Sequence, residues 1–488
     1  MIVGMMGVET ATIEFYRPGV FGMLTGNRAL AALWRVAAGD EAALASVELS
    51  GGEPALPSSF AIGVAAQASI AAATLATREI ARERGGPAQT VHVDMRHAAI
   101  EFRSERYLRV DGAPAPELWD KIAGVYRCAD GWVRLHTNFA HHRDGVLRLL
   151  ACGNERSAVQ DALMRWRAED FETAAAEAGL VVTALRSFEQ WGAHPQGQAV
   201  ASLPVLGLER IGDAPPRPLP RWTADTTQPL QGLRVLDLTR IIAGPVCGRT
   251  LAAHGAEVLL VTGPHLPAIA PLVIDTGRGK RSTHIDLRDA AGRETLKALA
   301  RDADVFVQGY RPGGLAERGF SADELAHARS GIVCASLSAY GHIGPWAARR
   351  GFDSLVQTAS GFNVAEAQAA GVDEPKPLPA QALDHAAGYL LAFGVQMALL
   401  RRAREGGSWH VRVSLAQTGR WLRGLGRLPE GLRTADPKLD DVRDLMEESD
   451  SGFGRLLAVR HAGHLSDTPP AWTRPSVPLG ADAPRWIT

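Results

Sequence analysis

The run GFDSLVQTASGFNVAEAQAAGVDEPKPLPAQALDHAAG, Gly351 to Gly388, decides how this chain is read, and its key residue is Asp384. Pro377, Leu378, Pro379 and Leu383 precede that carboxylate and Ala386, Ala387 and Gly388 follow it, so it sits in a small, apolar and poorly hydrated neighbourhood. Leu390, Leu391, Phe393, Val395, Met397, Leu399 and Leu400 continue as one buried helix, and the basic pair Arg401 and Arg402 suits its C-terminal turn. Spacing alone allows two readings of Asp384. It is either an N-capping aspartate or a nucleophile at the positive end of the helix dipole, with Gly388 one turn on giving a ligand close access.

Upstream, LRVLDLT from Leu233, AEVLLVT, THIDL, DADVFVQG and IVCASLSAY are short apolar strands separated by helical segments. That alternation predicts an α/β fold with a doubly wound parallel sheet. Ligands of such sheets lie beyond the carboxyl ends of the strands. The loops there are Arg240 to Pro245, Thr262 to Pro267, Gly309 to Gly313 and Ser338 to Gly344. Ala243-Gly244-Pro245 at a helix start offers backbone N–H groups to a phosphate, or is an ordinary strand-to-helix turn. No GxGxxG follows the first strand, which argues against a dinucleotide cofactor.

The first half carries helical patterning over residues 24 to 48, a longer Ala-rich helix from Phe60 to about Arg84, and a hairpin leading into a helix between Gly124 and Leu150, which together predict a smaller α+β domain. Ile70 to Phe102 follows the same plan as Leu391 to Leu422: helix, basic end, GG stop, strand, helix. Val91-His92-Val93 falls where Val411-Arg412-Val413 does. Val205 to Pro220 and Leu456 to Gly480 each place a proline-rich tail after a short strand. This reads as an internal duplication whose first copy has Gly63 where the second has Asp384. The expected domains are residues 1–228 as a degenerate first copy with the small domain, 229–430 as the catalytic domain, and 431–488 as a tail packing back on the first half.

Across its 488 residues, 52 basic side chains balance 53 acidic ones, so nothing points to nucleic acid or an anionic membrane as partner. The 4 cysteines lack metal-ligand or disulfide spacing, which suits a reducing, cytoplasmic setting. The start, MIVGMMGVETATIEFYRPGV, has no basic n-region and makes a poor signal peptide.

RIIAGPVCGRTLAAHGAEV (Arg240 to Val258), RGKRSTHIDL (Arg278 to Leu287), ADVFVQGYRPGGLAERGF (Ala303 to Phe320), SLSAYGHIGPWAARRGFDSLVQTASG (Ser336 to Gly361) and LDHAAG (Leu383 to Gly388) occur in the order of the family III CoA-transferases, the CaiB/BaiF group, which this chain resembles. The resemblance implies a Rossmann-like CoA-binding domain. It also implies transfer of CoA between an acyl-CoA and a carboxylic acid, with coenzyme A as substrate and no permanently bound cofactor or metal. Asp384 takes the catalytic position, passing through an aspartyl anhydride and an aspartyl-CoA thioester. Arg240, Ile241, Ile242, Ala243, Lys280, Arg281, Arg311, Arg318 and Tyr340 become CoA-binding candidates, with Arg278 and Trp346 beside them. His141 and His142 are the small domain's candidates for a substrate contact, against a solvated loop. The chain departs from the family pattern at Thr262, where an acidic residue is usual, and at Gly309, where asparagine is. Phe352 replaces the histidine of the racemase subgroup, which argues against that chemistry. A non-catalytic CoA-binding protein, a racemase or isomerase of the same family and a nicotinamide oxidoreductase are the alternatives. The family's interlocked dimers leave a homodimer open.

Overall fold

The computed structural model describes residues 24–311 and 313–487, so the opening segment read as a poor signal peptide lies outside them. Its central sheet has seven strands: β1 (Gly207–Gly212), β2 (Arg234–Leu238), β3 (Glu257–Thr262), β4 (Arg281–His284), β5 (Val305–Gln308), β6 (Val333–Ser338) and β7 (Ser408–Ser414). They lie in the order β4-β3-β2-β5-β6-β7-β1. All are parallel except β1, which runs antiparallel on β7. Val235 to Leu238 and Val258 to Val261 are buried throughout, the mark of parallel strands covered on both faces. The order reverses between β2 and β5, so chains leaving those two strands diverge and open a crevice at their carboxyl ends.

Three helices pack together beside the sheet, α1 (Ile62–Glu83), α2 (Ala243–Ala253) and α3 (Ala382–Glu405), and the last two reach the crevice at Ala243 and Asp384. α3 is long and apolar enough to cross a membrane, and it is buried inside the protein on every side. Gly388 is where α3 and α2 nearly touch, since a Cβ there would lie 2.5 Å from the Ala243 carbonyl oxygen and 2.7 Å from Val246 Cβ. The glycine expected to admit a ligand is thus spent on helix packing. Gly244 is spent similarly, its absent Cβ facing Thr239 at 2.4 Å. α1 joins α3 through Gln396 Nε2 to Thr77 Oγ1 (2.6 Å) and an Arg404–Glu83 ion pair (2.7 Å).

The helix expected over residues 24 to 48 covers only Gly26–Val36, because Ala38 turns the chain with φ +48° before a 3-10 turn and the strand Val47–Ser50. Val47–Ser50 pairs in parallel with Val91–Asp94, and His464–Leu465 runs antiparallel on the far side of Val91–Asp94. The two halves therefore exchange strands: β1, at the end of the first half, completes β7, while His464–Leu465 from the chain's end completes Val91–Asp94. The hairpin of Met446–Ser451 and Gly454–Val459 extends the exchange, its second strand pairing with Arg109–Val110. A buried ion cluster seals the contact, with Arg249 of α2 2.8 Å from Asp275 and 3.5 Å from Glu101 of the first half.

The hairpin between Gly124 and Leu135 is present, and Val182–Ala184 extends it to three antiparallel strands. Helices Ala140–Leu150, Arg156–Leu163 and Ala168–Glu177 cover it around Tyr126, Val133, Leu163 and Phe171. This small unit stands over the mouth of the crevice.

Candidate active site

Asp384 is the third residue of α3 and 7% exposed. The helix N-cap is Gln381, which makes no side-chain capping bond. Among the described residues no hydrogen bond reaches the Asp384 carboxylate, so it is not spent as a cap. Its backbone N–H instead donates to Asp353 Oδ2 (2.8 Å), and the other Asp353 oxygen accepts the Gln357 side-chain amide. Burial pushes the Asp384 carboxyl well above the usual carboxylate range, and the nearby charges of Asp353 and Glu105 add to the shift. Burial also raises Asp353, against the opposing pull of the Asp384 N–H and the Gln357 amide. His385 points elsewhere, to Glu105 Oε2 at 3.1 Å.

Asp384 lines a cavity of about 350 Å³ between the switch point of the sheet and the small unit. Arg240, Ile241, Ile242 and Ala243 form the β2 side, Tyr310 and Arg311 the β5 side, and Phe139, His141, His142 and Phe352 the small-unit side. Ile241 has φ +76°, a left-handed conformation that is strained for a β-branched residue, and it stands one residue before the α2 cap. α2 presents its first N–H groups at this wall. The Arg240 guanidinium lies 5.3 Å from the centre of the Phe139 ring and donates to the Pro267 carbonyl. Past Tyr310, Arg311 and Arg350 a second cavity of about 300 Å³ continues along the strand ends, lined by Thr262, Arg288 and Arg318.

Of the sequence candidates, the structure gathers Asp384, Arg240, Ile241, Ile242, Ala243, Arg311 and the His141-His142 pair around the first cavity, and Arg318 at the second. It places three others away from both. Lys280 is buried, with Nζ held by Asp237 Oδ2 and the Pro245 carbonyl at 2.8 Å each. Arg281 is tied to Glu257 (3.2 Å) and to Asp482 of the tail (3.3 Å). Tyr340 is buried against Trp191 and Trp346. Arg278 is likewise committed, to Asp275 at 3.1 Å and over the Trp472 ring. These cations fasten the structure, and a phosphate contact would require breaking buried ion pairs. Tyr310, Arg350 and Phe139 line the cavity without having been singled out. The Arg349-Arg350 doublet before Gly351 was the available signal for one of them.

A family model described as CoA-transferase family III matches residues 230–425. A succinate–glutarate CoA-transferase of Agrobacterium fabrum is 30% identical over 275 residues, covering 49% of this chain and 68% of that protein. The chain belongs to CoA-transferase family III. An acyl-CoA transferase of Gibberella moniliformis is 29% identical over 418 residues, 77% of this chain and 73% of the relative. A probable fatty acyl-CoA transferase of Mycobacterium tuberculosis is 34% identical over 206 residues, and the chain spans only 52% of its length. A crystal structure of Rv3272 from M. tuberculosis aligns at 34% identity over 40% of this chain and 57% of that one, with a TM-score of 0.38. At that score the fold of this family III chain rests on its own strand order.

Proposed function

We propose that this chain transfers CoA between an acyl-CoA and a carboxylic acid with Asp384 as the nucleophile. The observation that carries the reading is a buried carboxylate on the cavity wall, bare of hydrogen bonds from the described residues, in the first turn of a buried helix. Stripped of water, such a carboxylate attacks a thioester more readily than a hydrated one, and the α3 peptide dipoles offset part of the cost of ionising it. An Asp384 oxygen bonds to the thioester carbon, the carbonyl pair moves to oxygen, and collapse breaks the C–S bond, releasing CoA thiolate and an acyl-aspartyl anhydride. The thiolate then attacks the aspartyl carbonyl of the anhydride, the first acid leaves as its carboxylate, and the acceptor carboxylate runs the steps in reverse. The first N–H groups of α2 receive the oxyanion. Phe139 and Phe352 keep water from the anhydride.

The strand order supports a doubly wound, Rossmann-like CoA-binding unit. In this reading pantetheine lies between Arg240 and Tyr310, and the nucleotide phosphates lie along the second cavity with Arg311 and Arg318. The strand exchange supports an internal duplication in which each half completes the other. At the position read as the first copy's counterpart, a Cβ on Gly63 would lie 2.9 Å from Glu53 Oε2, and Glu53 Oε1 accepts the Val64 N–H at the head of α1, which supports a single live site per chain.

The Agrobacterium relative is named for succinate and glutarate and the M. tuberculosis one for fatty acyl groups, so a test panel spans both classes. Incubation with these acyl-CoAs, hydroxylamine quench and mass spectrometry of the Asp384 peptide is expected to show a hydroxamate at that residue. Its absence across the panel sinks the reading.

A further inference from the structure

Among the polar side chains of the cavity that take no part in that mechanism, His142 is the most deeply buried histidine. It lines the cavity together with Asp384, is 4% exposed, and makes no side-chain hydrogen bond among the described residues; its Nδ1 is buried without a partner. Nε2 is equally without a hydrogen bond but is not sealed off, so it is the ring nitrogen open to the cavity, and the neutral tautomer with its proton there has an N–H to give. Packing fixes the ring in place. Phe139 lies 5.9 Å away, Phe352 6.5 Å, both edge-on, and the His141 ring 4.0 Å.

Resting on the Asp384 reading, we propose that His142 is a second oxyanion donor, giving an N–H to the thioester oxygen as Asp384 attacks. The transfer moves no proton, so the useful donor is one that neither gains nor loses one at working pH. The basic groups facing His142 hold it in that role. Burial first, then His141 beside it on the same helix and Arg240 and Arg350 from the facing loops, lower its pKa to about 4. Behind it His136, stacked on Phe352 at 3.9 Å, is also held neutral. Across the cavity stands Asp384. An imidazolium here would pair with that carboxylate and quench the nucleophile, whereas a neutral imidazole donates to the oxyanion and leaves Asp384 free. As the C–O bond forms and the carbonyl pair shifts to oxygen, the imidazole proton stays on nitrogen, and it is still there when the C–S bond breaks and CoA thiolate departs.

Two variants decide the matter: His142→Gln keeps a donor, and His142→Met keeps bulk without one. With an acyl-CoA that gives the Asp384 adduct in the wild type, His142→Met is expected to slow adduct formation about 100-fold, and His142→Gln to recover all but about tenfold, the range of one oxyanion donor. CoA affinity by calorimetry should move less than about threefold in both, because the lost contact forms only as the oxyanion does. The wild-type and His142→Gln rates should share the shape of their pH profiles between pH 5.5 and 8. Equal losses in the two variants, or His142→Met staying within about threefold of wild type, overturn the assignment. Absence of any wild-type adduct overturns the Asp384 reading itself, and His142 falls with it.

Discussion

Asp353 accepts the backbone N–H of Asp384, which brings two buried carboxyls together at the head of α3. Their direction of shift gives a sign. A carboxyl whose folded pKa lies above its unfolded value binds more protons in the native state, so it destabilises the fold as pH rises from about 4 towards the folded value. Asp384→Asn removes the nucleophile and that penalty together. It should abolish transfer by roughly 10³-fold or more, yet melt higher than wild type, with a larger gain at pH 8 than at pH 5. Thermal melts at both pH values check this, and a variant melting lower at pH 8 contradicts it. At this scale the sequence was informative about the helix that carries Asp384, because the apolar run after it is local, and silent about Asp353 and Glu105, which press on it from a distance. It was uninformative about Lys280 and Arg281. The carboxylates that claim them, Asp237 and Asp482, are distant in sequence, and a cation's availability depends on who else reaches it first.

At the scale of elements, the strands and α3 could be read from alternation and from unbroken apolar runs, since both faces of a parallel sheet are covered. What could not be read was how closely α3 approaches α2. Gly388 looks like a ligand's doorway in the sequence and is a helix crossing in the structure. Gly388→Ala would push a methyl into the Ala243 carbonyl oxygen and Val246. We expect a loss of about 1–3 kcal/mol, read as a lower urea midpoint with an unchanged slope, and a fall in turnover because the first N–H groups of α2 shift relative to Asp384. An alanine variant as stable as wild type would show that the two helices part at little cost. The strained Ile241 backbone belongs to the same junction, where β2 must turn sharply to aim α2 at the cavity.

For the whole molecule, the exchange of β1 for His464–Leu465 and the Arg249 cluster make the halves one cooperative unit. Arg249→Met takes the guanidinium from between buried Glu101 and Asp275, leaving Asp275 only Arg278, and should cost about 3–5 kcal/mol. A single transition shared by tryptophan fluorescence and far-ultraviolet dichroism is expected, and two separate transitions would show that the halves melt independently. Residues 230–425, the span matched by the family model, lack β1 and α1. Expressed alone, they should bind the dye ANS and fail to melt cooperatively. The order of synthesis adds a constraint of its own. The Val91–Asp94 strand leaves the ribosome long before His464–Leu465 exists, and until translation ends one of its edges stays open to any neighbouring chain. Production of this protein should therefore depend on chaperone supply and suffer when ribosomes crowd a message.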